Sequence, residues 1–238
     1  MSATLSDLVR LTVSLGADSV GGSLSPAEKD LITAATHQAQ EVDSALIGSV
    51  RRAIAEGADP LGELFYDLRD PATRRASGAV YTPDSIVDPM AQWVLAARPV
   101  RVVDAGSGSG RYTAALLRAD QTLPVVAVDH DPVATLMTRA VAAVLGGKAV
   151  SVKNADFTRL SLPQVDGRTA FVGNPPYLRH HQLPASTKAW AQSASRELGH
   201  KISGLAGLHA FFYLAVAQMG KAGDIGCFVT SAEWLDVN

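Results

Sequence analysis

The chain has 238 residues, of which 47% are hydrophobic and 18% are charged, so it can form a packed core and is not a disordered chain. Its net charge of −2 and its pI near 6.3 lack the basic excess that is usual in nucleic-acid-binding proteins. The single cysteine, Cys227, excludes an intrachain disulfide, and the sequence shows neither a signal peptide nor a run of apolar residues that could span a membrane. We therefore expect a cytoplasmic protein.

The first part of the chain has a helical pattern and no recognisable chemistry. A capping box at Ser25 and Glu28 begins a series of apolar residues at helical spacing, and this series ends at Gly57. The pattern predicts one long helix over residues 25–57 and a short helix over residues 60–68.

Short β-branched runs alternate with helical patterns in the second part of the chain, with predicted helices near residues 110–119, 132–145 and 205–220. Near-continuous apolar strands joined by helices predict an α/β fold with a parallel sheet that is covered on both faces. We divide the chain into a helical N-terminal segment, residues 1–75, and a main domain, residues 76–238. The predicted strands cover residues 100–106, 124–130, 148–156, 169–174 and 224–231.

A glycine-rich loop follows the first predicted strand. The strand ends near Asp104, and Gly106, Gly108 and Gly110 precede the next helix. Glycines let the backbone turn sharply and come close to a ligand at a helix N-terminus. The spacing differs from the G-x-G-x-x-G pattern of dinucleotide sites, so the loop alone fits a nucleotide-type site and a tight structural turn equally well.

Carboxylates also end the second and third predicted strands, where ligands bind in parallel sheets. Asp129 is placed to accept hydrogen bonds from ribose hydroxyls, since Asp131 already serves as the cap of the next helix, and we include the adjacent His130 in the candidate site. Asp156 is suited to an exocyclic amine, and Phe157 offers a flat apolar wall for a purine. These strand ends predict a ligand that contains adenosine.

The fourth strand runs into "GNPPY", where Asn174, Pro175, Pro176 and Tyr177 form a stiff loop. Both prolines have a fixed φ and no N–H, so the loop presents acceptors without competing donors. A planar amino group, such as the NH₂ of an aromatic base, fits two such acceptors, and Tyr177 adds a face for stacking. Asn-Pro and Pro-Pro also mark ordinary turns, so the position at a strand end favours the functional interpretation.

Together, "VVDAGSGSGRYT", "VAVDHDPVA", "NADF" and "GNPPY" resemble the Rossmann-like core of an S-adenosylmethionine-dependent methyltransferase with an Asn-Pro-Pro-Tyr loop. The upstream "ASGAVYTP" is similar to the Tyr-Thr-Pro segment of gamma-class N6-adenine DNA methyltransferases, a group that includes fused restriction-modification enzymes. The resemblance covers residues 74–238. In this chain "DAGSGSG" replaces the "DPACGSG" that is common in the family, but the glycines are retained.

The resemblance implies S-adenosylmethionine as cofactor, no metal, and transfer of its methyl group to the N6 amine of an adenine flipped out of double-stranded DNA. Asn174 and the Pro175 carbonyl are then expected to hold the amine, in a catalytic loop that includes Pro176, while Tyr177 stacks on the base. The cofactor-binding residues implied in this way are Tyr81, Thr82, Pro83, Asp104, Gly106, Gly108, Gly110, Asp129, His130, Asp156 and Phe157.

Two other interpretations remain open. Glutamine N5-methyltransferases of release factors share Asn-Pro-Pro-Tyr and an N-terminal helical domain, but they lack "GAVYTP". The family resemblance also implies seven strands and a target-recognition region, whereas five strands are predicted. We therefore expect a catalytic portion truncated after the fifth strand, which contacts DNA through a region absent here and associates with itself or a C-terminal partner chain through an exposed sheet edge. The second alternative is a cofactor-binding fragment that is inactive without its missing C-terminal part.

Overall fold

A computed structural model describes residues 3–37, 41–70 and 82–230. Tyr81, nearly all of "ASGAVYTP" and the predicted boundary at residues 75 and 76 lie outside these described residues. The helices are α1 Leu5–Ser14, α2 Pro26–Thr36, α3 Ser44–Glu56, α4 Pro60–Leu68, α5 Asp84–Ala96, α6 Arg111–Ala119, α7 Pro132–Val144, α8 Ala185–Glu197 and α9 Leu208–Met219. The strands are β1 Arg101–Ala105, β2 Val125–Asp129, β3 Val150–Asn154, β4 Thr169–Gly173 and β5 Ile225–Phe228.

All five strands pair in parallel, in the spatial order β3-β2-β1-β4-β5. This arrangement confirms the predicted α/β, Rossmann-like sheet, and each predicted strand is found within a few residues of its expected bounds. The order reverses beside β1, which lies between β2 and β4. A crevice at such a reversal is where open parallel sheets bind ligands.

Successive side chains of a β-strand point to opposite faces of the sheet, so the central strands contribute to two separate cores. Val102 and Val172 pack with α5, α6 and α7 on one face of the sheet. Val103 and Phe171 pack on the other face against Phe212 of α9. Helix α8 lies against α9 in a third, smaller cluster.

The N-terminal helices form a further layer over α7 and share the core of the first face of the sheet. A fully buried ion pair links the two layers, because Arg139 Nε of α7 donates to Glu28 Oε1 of α2 over 2.8 Å. The same guanidinium donates to the carbonyls of Val20 and Gly22, at 2.7 and 2.8 Å. One arginine thus holds both α2 and the loop before it.

The predicted long helix over residues 25–57 is wrong, since the structure contains two helices there. Helix α2 ends at Thr36, and α3 begins only after Asp43, whose side chain accepts a hydrogen bond from the Ala45 N–H. Asp43 therefore caps a new helix instead of continuing the first one. Helices α1 and α8 were not predicted. Helix α5 begins directly after Pro83, as the family resemblance implies.

No helix in the described parts of the chain is both long and apolar enough to cross a lipid bilayer.

Candidate functional site

The carboxyl ends of β1, β2 and β4 bring Asp104, Asp129 and Asn174 to the same edge of the sheet. Asp104 is in register with Ala127 of β2 and with Val172 of β4. Asp129 and Asn174 therefore each lie two residues beyond a direct neighbour of Asp104, on either side of β1. The strand ends where the sequence predicts a ligand site thus bring together residues from separate parts of the chain.

The glycine loop after β1 requires glycine at three positions. Gly106, Gly108 and Gly110 have φ angles of +73°, +56° and +90°, a region that side chains with a Cβ adopt only with strain. The N–H groups of Gly106 and Ser107 donate to the Val128 carbonyl at 2.9 and 3.0 Å, which holds the start of the loop against β2.

Two of these glycines face different surroundings. A Cβ at Gly110 would lie 3.1 Å from the Thr138 Cα, so this glycine allows close packing on α7. A Cβ at Gly108 would meet no atom within 4 Å. The loop therefore presents its backbone to open space at Gly108, which is the side where a ligand can approach.

Asp129 is bonded to the glycine loop. Its Oδ2 accepts from the Gly108 N–H and its Oδ1 accepts from the Asp131 N–H, each over 2.9 Å. Asp131 in turn caps α7 through the Val133 N–H, as predicted. His130 is exposed, and its hydrogen bond to Asp129 raises the pKa of the imidazole. Asp129 thus fixes the loop, and the ribose contact remains a prediction.

Asp104 is completely buried and does not line an open surface. Its Oδ2 accepts from the N–H and the hydroxyl of Thr113 in α6, at 3.0 and 2.7 Å. Its Oδ1 is buried and accepts no hydrogen bond from any residue that the structure describes. Burial raises the pKa of Asp104 to about 7, so this carboxyl group titrates near neutral pH.

Asp156 and Phe157 follow the end of β3 and make contacts within the protein. Asp156 Oδ1 accepts from the N–H and the hydroxyl of Thr158, at 2.9 and 2.7 Å, and so caps the 3₁₀ turn Phe157–Arg159. The Phe157 ring is 3% exposed and stacks on Phe212, with 4.8 Å between the ring centroids. The Phe157 ring therefore belongs to the second core, and its contact with a purine remains a prediction.

The Asn174 side chain is held by a residue from a distant part of the chain. Its Nδ2 donates to the Thr82 hydroxyl over 3.0 Å, and Thr82 is buried. Pro175 is buried and Pro176 is half-buried. The half-buried Tyr177 lies beside His209, with 5.8 Å between the ring centroids. Thr82 and Asn174, both predicted as site residues, are thus in direct contact.

The N-terminus of α5 lies near the same loops. Pro83 is its exposed cap residue, and no side chain of the described residues caps the helix. Asp84, the first residue of α5, forms an ion pair with Arg111 at the start of α6. The free N–H groups of a helix N-terminus suit a carboxylate or another anion.

Sequence analysis missed Asp59, a buried residue of the N-terminal segment that contacts the glycine loop. Asp59 Oδ2 accepts from the Ser109 hydroxyl over 2.5 Å and lies 3.5 Å from Arg111 Nη1. Its Oδ1 accepts from the Gly62 N–H over 2.9 Å and caps α4. The Asp59-Pro60 pair signals a helix start, but nothing in the sequence indicates the contact with Ser109.

The architecture defines the fold class of the protein. The structure aligns with a class I S-adenosylmethionine-dependent methyltransferase of Listeria monocytogenes at a TM-score of 0.64 and 16% identity, covering 98% of this chain and 68% of that one. The protein therefore has the Rossmann-like fold of these methyltransferases. No family model matches the sequence.

Two curated proteins are similar in sequence. The chain is 41% identical over 237 residues, 99% of its length, to the Type II methyltransferase M.XamI of Xanthomonas campestris pv. amaranthicola. It is 30% identical over 155 residues to the ribosomal RNA small subunit methyltransferase H of a Methylobacterium species. The first match confirms the predicted resemblance to a restriction-modification methyltransferase.

The chain spans 44% of the length of each of these two relatives. Neither comparison supports a partner chain or self-association at the β5 edge, so that expectation stays a prediction.

Proposed function

We propose that this chain is the cofactor-binding and catalytic part of a DNA methyltransferase, which transfers a methyl group from S-adenosylmethionine to the N6 amine of a flipped adenine. The observation that carries the proposal is the position of Asn174 beside the glycine loop at the carboxyl ends of β4 and β1, with its amide fixed by Thr82. The similarity to a Type II methyltransferase over nearly the whole chain favours DNA as the substrate.

The residues at the sheet edge fit the proposed cofactor. The glycine loop is open at Gly108, so its backbone can approach the ligand. The buried Oδ1 of Asp104, which accepts no hydrogen bond within the described parts of the chain, favours a cationic or donor group nearby. When bound, S-adenosylmethionine supplies an electrophilic methyl group on a positively charged sulfur.

Asn174 is oriented to act as an acceptor for the target amine. Because its Nδ2 donates to Thr82, its Oδ1 is the atom that presents lone pairs to a donor. Pro175 adds a backbone carbonyl, and neither Pro175 nor Pro176 has an N–H to compete for it. Two acceptors that hold the two hydrogens of an NH₂ group turn its lone pair away from the aromatic ring.

The chemical step then needs no covalent enzyme intermediate. The amine nitrogen forms the new bond to the methyl carbon while the carbon–sulfur bond breaks, and the nitrogen then loses one proton. The acceptors at Asn174 and Pro175 contribute by positioning the nucleophile and by stabilising the charge that develops on it. Tyr177 offers a ring for stacking, which offsets part of the few kcal/mol that base extrusion costs.

The experiment compares the parent chain with Asn174→Ala in two assays, calorimetric binding of S-adenosylmethionine, with NAD as a competitor control, and transfer of a radiolabelled methyl group to DNA. We expect the variant to lose methyl transfer and to keep its cofactor affinity. Gln121→Ala, which truncates an exposed side-chain amide in the loop before β2, is the matched control and should transfer at the parent rate.

Mass analysis of the nucleosides then identifies the product. N6-methyladenine in DNA supports the proposal, whereas methylation of cytosine, of ribosomal RNA or of a release-factor glutamine overturns it. Methyl transfer by Asn174→Ala at the parent rate overturns the role of this residue. If the parent itself is inactive, the assay is repeated with the longer protein that includes this chain, and inactivity there also counts against the proposal.

A further inference from the structure

The segment between the catalytic loop and α9 has a charge opposite to that of the rest of the molecule. Residues 178–207 contain four lysine or arginine side chains and one acidic side chain, Glu197, so the segment carries +3. Since the whole chain has a net charge of −2, the remainder carries −5. Because the rest of the protein is acidic, a positive charge confined to one segment favours an anionic partner at that segment.

Among the four basic side chains, Arg196 makes a local hydrogen bond, in which its Nε donates to the Gln192 carbonyl one turn earlier in α8 over 3.1 Å. Arg179, Arg196 and Lys201 are exposed and Lys188 is half-buried, and none of the four forms an ion pair with a carboxylate in the parts of the chain that the structure describes. Arg139, by contrast, pairs with Glu28 and is buried in the core. These four are therefore available to a ligand outside the chain.

The acidic residue of the segment is turned toward α9. Glu197 Oε2 accepts from Gln218 Nε2 of α9, and its Oε1 accepts from the Ser193 hydroxyl, each over 3.2 Å. Its charge is therefore partly satisfied on the side of α8 that packs on the molecule.

Arg196 lies on the exposed side of α8, and Lys188 lies at the edge of its buried face. Ala191 and Ala194 are buried against α9, whereas Lys188 and Arg196, eight residues apart, lie about 80° from each other around the helix axis. The 13 residues of α8 extend over about 20 Å, which is comparable to about six phosphates along one DNA strand. Arg179, the first of the four basic residues, lies five residues after Asn174 and so directly follows the catalytic loop.

We infer that Arg179, Lys188, Arg196 and Lys201, together called the α8 basic stripe, bind the phosphate backbone of the DNA duplex beside the target base. This inference rests on the proposed DNA methyltransferase function and adds a substrate contact that this chain itself makes. It also changes one expectation from the sequence, because it places part of the DNA contact within residues 178–207 in addition to any separate recognition region.

The test uses two charge-neutralising double variants. Lys188→Gln with Arg196→Gln removes the centre of the stripe. Lys29→Gln with Arg52→Gln removes two exposed basic residues of α2 and α3, which lie over the opposite face of the sheet, and serves as the matched control. Binding of a fluorescein-labelled DNA duplex is followed by anisotropy at several salt concentrations, and cofactor affinity is measured by calorimetry as a check on folding.

We expect the stripe variant to bind the duplex about 10-fold more weakly and to reduce the slope of log K against log salt by about 1.8, since each phosphate contact contributes about 0.9. The control variant should match the parent, and both should bind cofactor normally. An unchanged slope in the stripe variant, an equal loss in the control, or no duplex binding by the parent at low salt overturns the inference. Tighter, stripe-dependent binding of a matched RNA duplex overturns the choice of DNA.

The result is independent of the methyl-transfer assay. A stripe-dependent salt slope, in a protein whose longer form also makes no N6-methyladenine, keeps the surface and rejects the proposed function. Methyl transfer to adenine with an unchanged salt slope supports the proposed function and rejects the DNA contact of the α8 basic stripe.

Discussion

The Ser109 hydroxyl donates to Asp59 Oδ2 over 2.5 Å, so a residue of the N-terminal helices holds the glycine loop that follows β1. The same carboxylate caps α4 through the Gly62 N–H and faces Arg111 at the start of α6. Burial raises the pKa of Asp59, against the opposing effect of these hydrogen bonds. The N-terminal segment therefore contributes directly to the shape of the proposed cofactor site.

Ser109→Ala should weaken the binding of S-adenosylmethionine about 3- to 10-fold, because the loss of one hydrogen bond to a buried carboxylate is worth about 1 kcal/mol or somewhat more. The melting temperature should fall by only about 2 to 4 °C, because the lost bond is worth about 1 kcal/mol and Asp59 still caps α4. Ser49→Ala is the control, because it removes an exposed hydroxyl that donates only to the Leu46 carbonyl on α3. Calorimetry that finds the parent affinity in Ser109→Ala would show that the bond does not shape the loop.

Gly108 and Gly110 of the glycine loop should respond differently to an added methyl group. Gly108→Ala places a Cβ in open space, so we expect a stability loss of only about 1 to 2 kcal/mol from the positive φ but a strong loss of cofactor affinity. Gly110→Ala adds a clash with the Thr138 backbone and should destabilise the fold more. Denaturant unfolding and calorimetry on both variants separate the effects, and equal affinity losses at equal stability would contradict this assignment.

The strands and their ligand-bearing ends could be predicted from the sequence because their physical signals are local. β-branched runs form buried parallel strands, and the carboxyl ends of such strands meet at one edge whatever the rest of the chain does. The sequence therefore predicts that Asp104, Asp129 and Asn174 lie at one edge of the sheet, which is where the register of β1, β2 and β4 puts them. The start of α7 could likewise be predicted from two adjacent residues, the cap Asp131 and Pro132 at the first helical position.

The features that sequence analysis missed depend on contacts between distant residues. Asp59 and Ser109 are 50 residues apart, and their hydrogen bond exists only because α4 docks on the glycine loop. An aromatic residue after a strand, such as Phe157, can face a ligand or pack in a core. Its position in the core depends on stacking against Phe212, a residue far away in the sequence. The break at Asp43 was missed because the apolar period continues through it, although its side chain favours a new helix start.

Asp104→Asn should change the pH dependence of stability. Burial raises the pKa of the folded state from 3.8 to about 7, so the folded chain binds this proton more tightly than the unfolded chain between those values. The raised pKa therefore reduces stability as the pH rises through that window, by about 4 kcal/mol at most above it. Asparagine does not titrate and removes this penalty. The melting temperature of the variant relative to the parent should thus rise between pH 4 and pH 8, and a pH-independent difference would contradict the assignment.

The buried pair of Glu28 and Arg139 should be strongly coupled. Burial acts to raise the pKa of Glu28, but the hydrogen bonds from the Ser25 N–H and from Arg139 outweigh it and hold this pKa below its usual value. Arg139→Met leaves a buried carboxylate without its cation and should cost about 3 to 5 kcal/mol of unfolding free energy. Glu28→Gln in the same chain should restore part of that loss, because the uncompensated charge is then removed. Chemical denaturation of the two single variants and the double variant measures the coupling directly, and purely additive losses would show that Arg139 acts mainly through the Val20 and Gly22 carbonyls.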